Sequence, residues 1–331
     1  VRILVTGVAG FIGSRLAEWI LANVPDAEII GVDDFSFGYE ENVPREVHFL
    51  RGTLGHGAIL PRQKPFDLIF HFAATACEGL SPWIRLRNYR DNLLATAEVV
   101  NHAIEWGCGR LVFTSSMAVY GRQPCPFYEF ARPMPIDPYG VAKSASEADI
   151  QIAGEQHGLD WCIVRPHNFY GPGQSIWQRY RNVLGHWMAR HWMGEPLLVY
   201  GDGSQVRAFS YIDDALPCLW RAATDSAASK QIINLGGIQP VTILEAARSL
   251  AEILPEASIH HAQPRHEVHT AWCSWRKSVE LLGFEHKTSL ADGLTEYVRW
   301  AEAAWYRWPE RRDTHRAIQR EATRGIYEYW A

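Results

Sequence analysis

The chain has 331 residues, 47% hydrophobic and 21% charged, with a formal net charge of −5. That length suits two lobes sharing an interface rather than one small core, and that composition excludes global disorder. The negative balance excludes a general attraction to nucleic acid or to an anionic membrane, so any phosphate must be held by a local site. The longest apolar runs fall far short of a membrane span. Val1 to Val5 are strand-like with no basic segment ahead of them, and are read as the first element rather than a secretory leader. Six cysteines, at 77, 108, 125, 162, 218 and 273, form no Cys-x-x-Cys pair, which points to a reducing cytoplasm. Of the 14 tryptophans, Trp300, Trp305, Trp308 and Trp330 lie near the end. They are read as covering a core edge or a subunit contact.

Strand and helix signals alternate through the first half. A β run at 2–6 precedes a helix at 11–24, whose apolar spacing is Phe11, Ile12, Leu16, Trp19 and Ile20. Strands follow at 28–33, 47–50 and 67–73, then a long helix at 84–106, a strand at 109–115, a helix at 138–158 and a strand at 160–165. Continuous apolar strands separated by helices predict a doubly wound parallel α/β sheet covered on both faces. After 170 the pattern weakens. Helices are expected at 176–193, 213–224, 242–254 and 290–305 with short strands between, giving a smaller mixed α/β lobe. The expected division is 1–170 for a dinucleotide and 171–331 for a substrate, with some chain crossing back.

The segment Val5-Thr6-Gly7-Val8-Ala9-Gly10-Phe11-Ile12-Gly13 leaves the first strand and opens the first helix. Glycines there allow a tight turn and a close approach of backbone amides to a pyrophosphate, to which the helix N-terminus adds partial positive charge. Asp33 closes the second strand twenty residues after Gly13. A carboxylate at that point accepts from both ribose hydroxyls of a dinucleotide. It would repel a 2′-phosphate, and no Arg or Lys follows in Asp34-Phe35-Ser36-Phe37. NAD is therefore preferred to NADP.

Tyr139-x-x-x-Lys143 opens the helix after the fifth strand. Residues four apart share a helix face, and an ammonium beside a phenol lowers the phenol pKa. A phenol so tuned can act as general base toward a sugar hydroxyl, with Ser116 bridging the two.

These residues resemble an extended short-chain dehydrogenase/reductase, of the branch that contains the UDP-galactose 4-epimerases. The resemblance covers about residues 1–300. It rests on Thr6-Gly7-x-x-Gly10-Phe11-Ile12-Gly13, His71-Phe72-Ala73-Ala74, Asn88-Tyr89-x-x-Asn92, Ser116 with Tyr120-Gly121, Tyr139-x-x-x-Lys143 and Arg165-Pro166-x-Asn168. It implies a homodimer through the helices near 84–106 and 138–158, and a UDP-sugar as substrate. NAD would be held by the glycine turn, Asp33, Asp34, Phe72, Ala73, Ala74, Asn92, Ser115, Tyr139, Lys143 and Pro166. In the implied cycle Tyr139 takes the 4-hydroxyl proton while NAD takes the C4 hydride. Ser116 orients the proton and Lys143 holds the cofactor ribose. The 4-keto sugar then turns about its diphosphate, and the hydride returns to the other face.

On the same resemblance Asn168, Asn182 with Val183, Arg207, Arg265 and Glu267 would bind the nucleotide sugar, the arginines on phosphate and Glu267 on ribose. Related 4,6-dehydratases follow the Ser116 position with Asp-Glu, and related uronate decarboxylases place Glu there. Met117 and Ala118 cannot move protons, which favours simple 4-epimerisation. The alternatives are elimination or 3,5-epimerisation using Cys77 and Glu78, and an NAD-binding sensor without catalysis. Gly52-Thr53 departs from the family's Gly-Asp, which leaves the usual adenine contact in doubt. Ala271 is expected to leave room for a 2-acetamido group. The histidines at 260, 261, 266 and 269 are read as loop residues, with no metal expected.

Overall fold

The computed structural model describes residues 1–56, 65–178, 181–264, 267–308 and 310–311. Its strands are β1 (Arg2–Thr6), β2 (Glu28–Asp33), β3 (His48–Arg51), β4 (Leu68–His71), β5 (Arg110–Thr114), β6 (Trp161–Pro166), β7 (Phe169–Tyr170), β8 (Leu197–Tyr200), β9 (Val206–Ala208), β10 (Ser210–Tyr211), β11 (Gln231–Leu235), β12 (Pro240–Thr242), β13 (Ile259–Ala262) and β14 (Thr270–Ala271). The helices are α1 (Phe11–Asn23), α2 (Arg85–Tyr89), α3 (Ala95–Glu105), α4 (Pro138–His157), α5 (Val183–Trp192), α6 (Ile212–Thr224), α7 (Ile243–Ile253), α8 (Arg276–Leu282) and α9 (Leu290–Arg307).

Seven strands form one parallel sheet in the order β11-β6-β5-β4-β1-β2-β3. β4 and β5 are buried at every residue, as strands covered on both faces must be. Leu16 and Ile20 of α1 pack with Ile212, Leu216 and Leu219 of α6 on one face. Val99 and Ala103 of α3 pack with Ile150 and Ala153 of α4 on the other. β1 lies between β2 and β4, so the chain leaves it toward one edge and later resumes toward the other. A doubly wound sheet opens a crevice at this reversal, outside the carboxyl ends of the strands.

Two elements depart from the sequence reading. The single helix expected over 84–106 is interrupted by a π turn at Arg90–Leu94. The wide turn holds Asn92, whose amide donates to Asn88 O at 2.9 Å, Asn88 Oδ1 at 3.0 Å and Thr75 O at 3.3 Å. The helix expected at 176–193 begins only at Val183, because Asn182 caps it.

Residues beyond 170 supply part of the large sheet as well as a second lobe. α6 covers the sheet and β11 forms its edge. The second lobe holds the pairs β7–β10 and β8–β13 and the ribbon β12-β9-β14. Its core joins α5, α7 and α9, with Trp177 and Trp305 stacked at 5.0 Å. Trp300 and Trp308 pack on its border, while Trp330 lies outside the described residues. Arg311 pairs with Glu41 and lies over the Tyr39 ring, tying the end of the described chain to the first lobe. All six cysteines are free. No helix among the described residues is long and apolar enough to cross a membrane.

Candidate active site

A cavity of about 890 Å³ lies over the carboxyl ends of the strands and is closed on its far side by the second lobe. That volume falls within the range of small-molecule sites. Gly7, at φ +74°, forms the turn between β1 and α1. A Cβ there would meet Ala73 N at 2.7 Å, so only glycine lets this turn lie against the segment after β4. Gly10 caps α1 without a side-chain hydrogen bond, and no acid occupies the first turn. Phe11, Ile12 and Gly13 line the cavity there. An uncapped first turn of this kind accepts a phosphate.

Asp33, at the end of β2, accepts from Ala9 N at 3.0 Å and Phe35 N at 2.8 Å. Burial lifts its pKa above the ordinary carboxylate value despite those two bonds. Asp34 accepts from Ser36 N at 2.7 Å. Phe72, Ala73 and Ala74 continue the wall, and a directed chain of hydrogen bonds sets them from behind. Ala73 N–H donates to Thr6 Oγ1, which donates to His71 Nδ1 at 2.7 Å. Thr96 donates its own hydroxyl to Asn92 O at 2.6 Å, so it can only accept from His71 Nε2–H, at 3.0 Å. These partners assign the Nε2 tautomer to His71. Burial, with Lys143 nearby, pushes that imidazole down to about 3 and keeps it neutral.

α4 carries the next pair. Asp137 caps it by accepting from Gly140 N at 2.9 Å, and Pro138 takes the first helical position. Tyr139 and Lys143 follow one turn apart, 8% and 2% exposed, and both line the cavity. Ser116 accepts from Ala118 N at 3.1 Å. Its hydroxyl acts on that of Tyr139 and lowers the phenol pKa.

The expected tuning of the phenol by the amine is not what the protein provides alone. Tyr139 is raised above the ordinary phenol value, first by burial and then by Glu78, Asp137 and Cys77, against Ser116. Lys143 Nζ stands 5.9 Å from the Tyr139 ring centroid, donates to Thr114 O at 2.8 Å and lies over the Phe113 ring. Burial lowers it to about 7, against Glu147. A lysine that is only partly charged at neutral pH, directed at a carbonyl, acidifies the phenol little.

Arg165 holds this helix to the sheet. Its Nε and Nη2 reach Glu147 of α4 at 2.8 and 2.5 Å, with the two side chains 2% and 3% exposed. Ser115 donates its hydroxyl to Glu147, so Ser115 reaches the cavity wall while its side chain serves this pair. Arg165 also donates to Tyr120 Oη at 2.7 Å, and Tyr120 donates to Asn234 Oδ1 at 2.7 Å. β5, β6, β11 and α4 are thereby joined under the site.

The second lobe closes the other half. Pro166, Asn168, Asn182, Val183, Arg207, Glu267 and Ala271 line it, with Gly52, Thr53, Met117 and Ala118. Asn168, at φ +42°, donates to Ala208 O at 2.9 Å. Asn182 does not stand inside the next helix; it is the cap, accepting from Leu184 N at 2.8 Å and donating to Gln174. Arg207 pairs with Glu267 at 3.1 Å and donates to Val206 O, Val268 O and His269 O. The two residues assigned to phosphate and ribose thus satisfy each other here. His261 meets Gly201 O, and His269 meets Ser204 and Thr270.

Two sequence candidates lie elsewhere. Asn92 is fully buried behind Thr75, in the π turn. Cys77, 2% exposed, packs with Leu80, Phe37 and Trp83 behind the wall, leaving Glu78 alone to face the cavity. Cys77 precedes the 3-10 turn that Glu78 opens. Arg265 and His266 lie outside the described residues. Sequence reasoning missed Asp137, Arg181 and Gln205, which also line the cavity. Asp137 carried a signal, an acid ahead of proline at a helix start; the other two carried none.

The family model described as the NAD dependent epimerase/dehydratase family matches residues 3–236. A UDP-glucuronate 4-epimerase of Thermodesulfobacterium geofontis is 27% identical over 320 residues, covering 90% of this chain and 95% of that protein. A UDP-glucuronic acid decarboxylase of Danio rerio is 28% identical over 315 residues, covering 90% and 72%. The crystal structure of the Thermotoga maritima UDP-glucose 4-epimerase with UDP-glucose matches with a TM-score of 0.84 at 28% identity, covering 92% and 99%. With the crevice, the uncapped glycine turn and the Ser116–Tyr139 pair in place, the conclusion is that this chain belongs to the NAD-dependent epimerase/dehydratase family.

Proposed function

We propose that the protein is a nucleotide-sugar 4-epimerase, acting on a UDP-hexose or UDP-N-acetylhexosamine, with NAD held by the first lobe and the nucleotide sugar by the second. The observation that carries this reading is the Ser116–Tyr139 pair. It faces a cavity bounded on one side by the glycine turn and Asp33 and on the other by Asn168 and Arg207.

The uncapped start of α1 and the carboxylate of Asp33 fit a dinucleotide with a free ribose 2′-hydroxyl. Bound NAD supplies the acceptor and donor for the C4 hydride, and a positive ring that favours the phenolate. Tyr139 takes the proton of the sugar 4-hydroxyl and later gives it back. Ser116 orients that proton, its oxygen fixed by Ala118 N. Lys143, anchored on Thr114 O, keeps further N–H donors for a ribose. Arg207 can turn its fork from Glu267 to a diphosphate. Ala271, a small wall residue, leaves space for an acetamido group.

Incubation with UDP-glucose, followed by NMR of the product, tests the reading. The 4-epimer should form without net NADH, and Tyr139→Phe should lower kcat by roughly 10²–10⁴-fold. Absence of any 4-epimer from UDP-glucose and from UDP-N-acetylglucosamine would reject it. A deoxy-keto product would favour the second reading, elimination with Glu78 as proton carrier. That reading is supported by a carboxyl facing the cavity and pushed up to about 7, burial being the first cause. Retention of full turnover in Tyr139→Phe would defeat both.

A homodimer through α2–α3 and α4 is supported by Leu86, Leu94, Val141 and Ile152, which are exposed on those elements. A reducing compartment such as the cytoplasm suits six unpaired thiols.

A further inference from the structure

The dinucleotide half of the cavity is walled by the segment that follows β2. Ser36, Phe37 and Gly38 line it beside Asp33 and Asp34, and the chain then lies down on the glycine turn. A Cβ on Gly38 would meet the Ala9 backbone at 2.7 Å. Ala9 O accepts from Tyr39 N at 3.1 Å and from Asn42 Nδ2 at 3.1 Å, while Ala9 N donates to Asp33 at 3.0 Å. Residues 36–42 are therefore anchored to the turn that seats a pyrophosphate. A dinucleotide spanning that turn and Asp33 lies against them.

Tyr39 reaches from this segment into the other lobe. Its ring packs on the border of the second core, and its hydroxyl meets Ser175 Oγ at 2.9 Å. Arg311 covers the ring. Its guanidinium carbon lies 4.0 Å from the Tyr39 ring centroid and 4.6 Å from that of Trp308, which follows α9 and packs on the same core. Its backbone N–H donates to Trp308 O at 3.1 Å, and its side chain pairs with Glu41 of the first-lobe segment. One cation thus joins a ring of each lobe and the carboxylate beside the first. The two side chains of the ion pair are only 18% and 26% exposed, so solvent screens it less than a pair on open surface. Parting segment 36–42 from the second lobe breaks these contacts together.

The hydride cycle gives the contact a purpose. A cofactor that takes a hydride and must return it has to stay between the two steps. We propose that Arg311 is a latch. It clamps Tyr39 and Glu41 to Trp308, holds segment 36–42 closed on NAD, and slows the release of the cofactor. The latch rests on the NAD site of the first lobe and not on the identity of the sugar.

The experiment loads the full chain with labelled NAD and follows its release during a chase with excess unlabelled NAD; association is measured separately by fluorescence. Arg311→Ala should speed release by about fivefold to thirtyfold, the combined effect of one partly buried ion pair and one cation–π contact. Association should change by less than about threefold, because contacts of this kind act on dissociation. Glu41→Gln should speed release in the wild-type background and add nothing to Arg311→Ala, since both act through one contact. Arg311→Lys keeps a charge over the Tyr39 ring and beside Glu41, and should release NAD more slowly than Arg311→Ala. Unchanged release in Arg311→Ala, or an effect of Glu41→Gln that adds to it in full, overturns the latch and leaves the NAD site intact. Slower association with unchanged release would mark a local folding fault and overturns it too. Failure of the wild-type protein to bind NAD overturns the NAD site, and the latch with it.

Discussion

The reacting groups depend on environment more than on identity. Tyr139 sits in a raised state set first by burial and then by Glu78, Asp137 and Cys77, with Ser116 acting against them. Ser116→Ala should therefore lower kcat by roughly tenfold to a hundredfold, with a smaller change in KM, in steady-state assays with UDP-glucose. Two buried histidines contribute to acid stability. His71 and His167 are both pushed down to about 3, burial first, with Lys143 and Arg165 respectively as the second cause. The unfolded chain binds a proton at each near 6.5 that the folded chain refuses. Their contribution is thus present above pH 6.5 and is lost as pH falls toward 3. Each adds a slope of up to about 1.4 kcal/mol per pH unit. Neither ring nitrogen of His167 has a hydrogen-bond partner among the described residues. In urea unfolding between pH 6 and 5, His167→Leu should flatten the slope by about one proton; an unchanged slope would show that His167 charges freely in the fold.

At the scale of elements, α4 is placed by electrostatics as much as by apolar packing. The Arg165–Glu147 pair ties it to β6, and Ser115 brings β5 into the same contact. Removing one partner leaves a buried charge. Arg165→Met should cost about 3–5 kcal/mol in denaturant unfolding, and adding Glu147→Leu should recover part of that loss. If the double variant is no better than the single, the pair is not the anchor. The β1–α1 turn is fixed differently, by lack of space. Gly7→Ala would put a methyl against Ala73 N at a positive φ. It should weaken NAD binding, read by fluorescence titration, by at least about tenfold.

At the scale of the whole molecule, two lobes share one cavity, and the chain crosses between them more than once. α6 and β11 return to the large sheet, and Arg311 returns to Tyr39. The exposed apolar residues on α2, the π turn and α4 give the proposed dimer a test. Light scattering should find twice the chain mass, and Leu94→Asp with Ile152→Asp should shift it to the mass of one chain. Much of the sheet was legible because buried parallel strands are apolar without interruption, and the glycine turn was legible because its conformation admits few residues. The π turn at 90–94 was not, because it answers to Asn92 bonding across to Thr75. Nor was the start of α5, which depends on a cap whose partner, Gln174, sits eight residues earlier.

The sequence by itself determined the parallel sheet, the dinucleotide turn and the residue types able to move a proton, since these follow from local pattern and from chemistry carried within a few positions. Only the tertiary structure decided which of those groups face one another. It turned Cys77 inward and Glu78 outward, closed Arg207 on Glu267, and directed Lys143 to Thr114 rather than to the phenol. Charge, burial and pKa depend on neighbours brought from distant parts of the chain, and no local reading contains them.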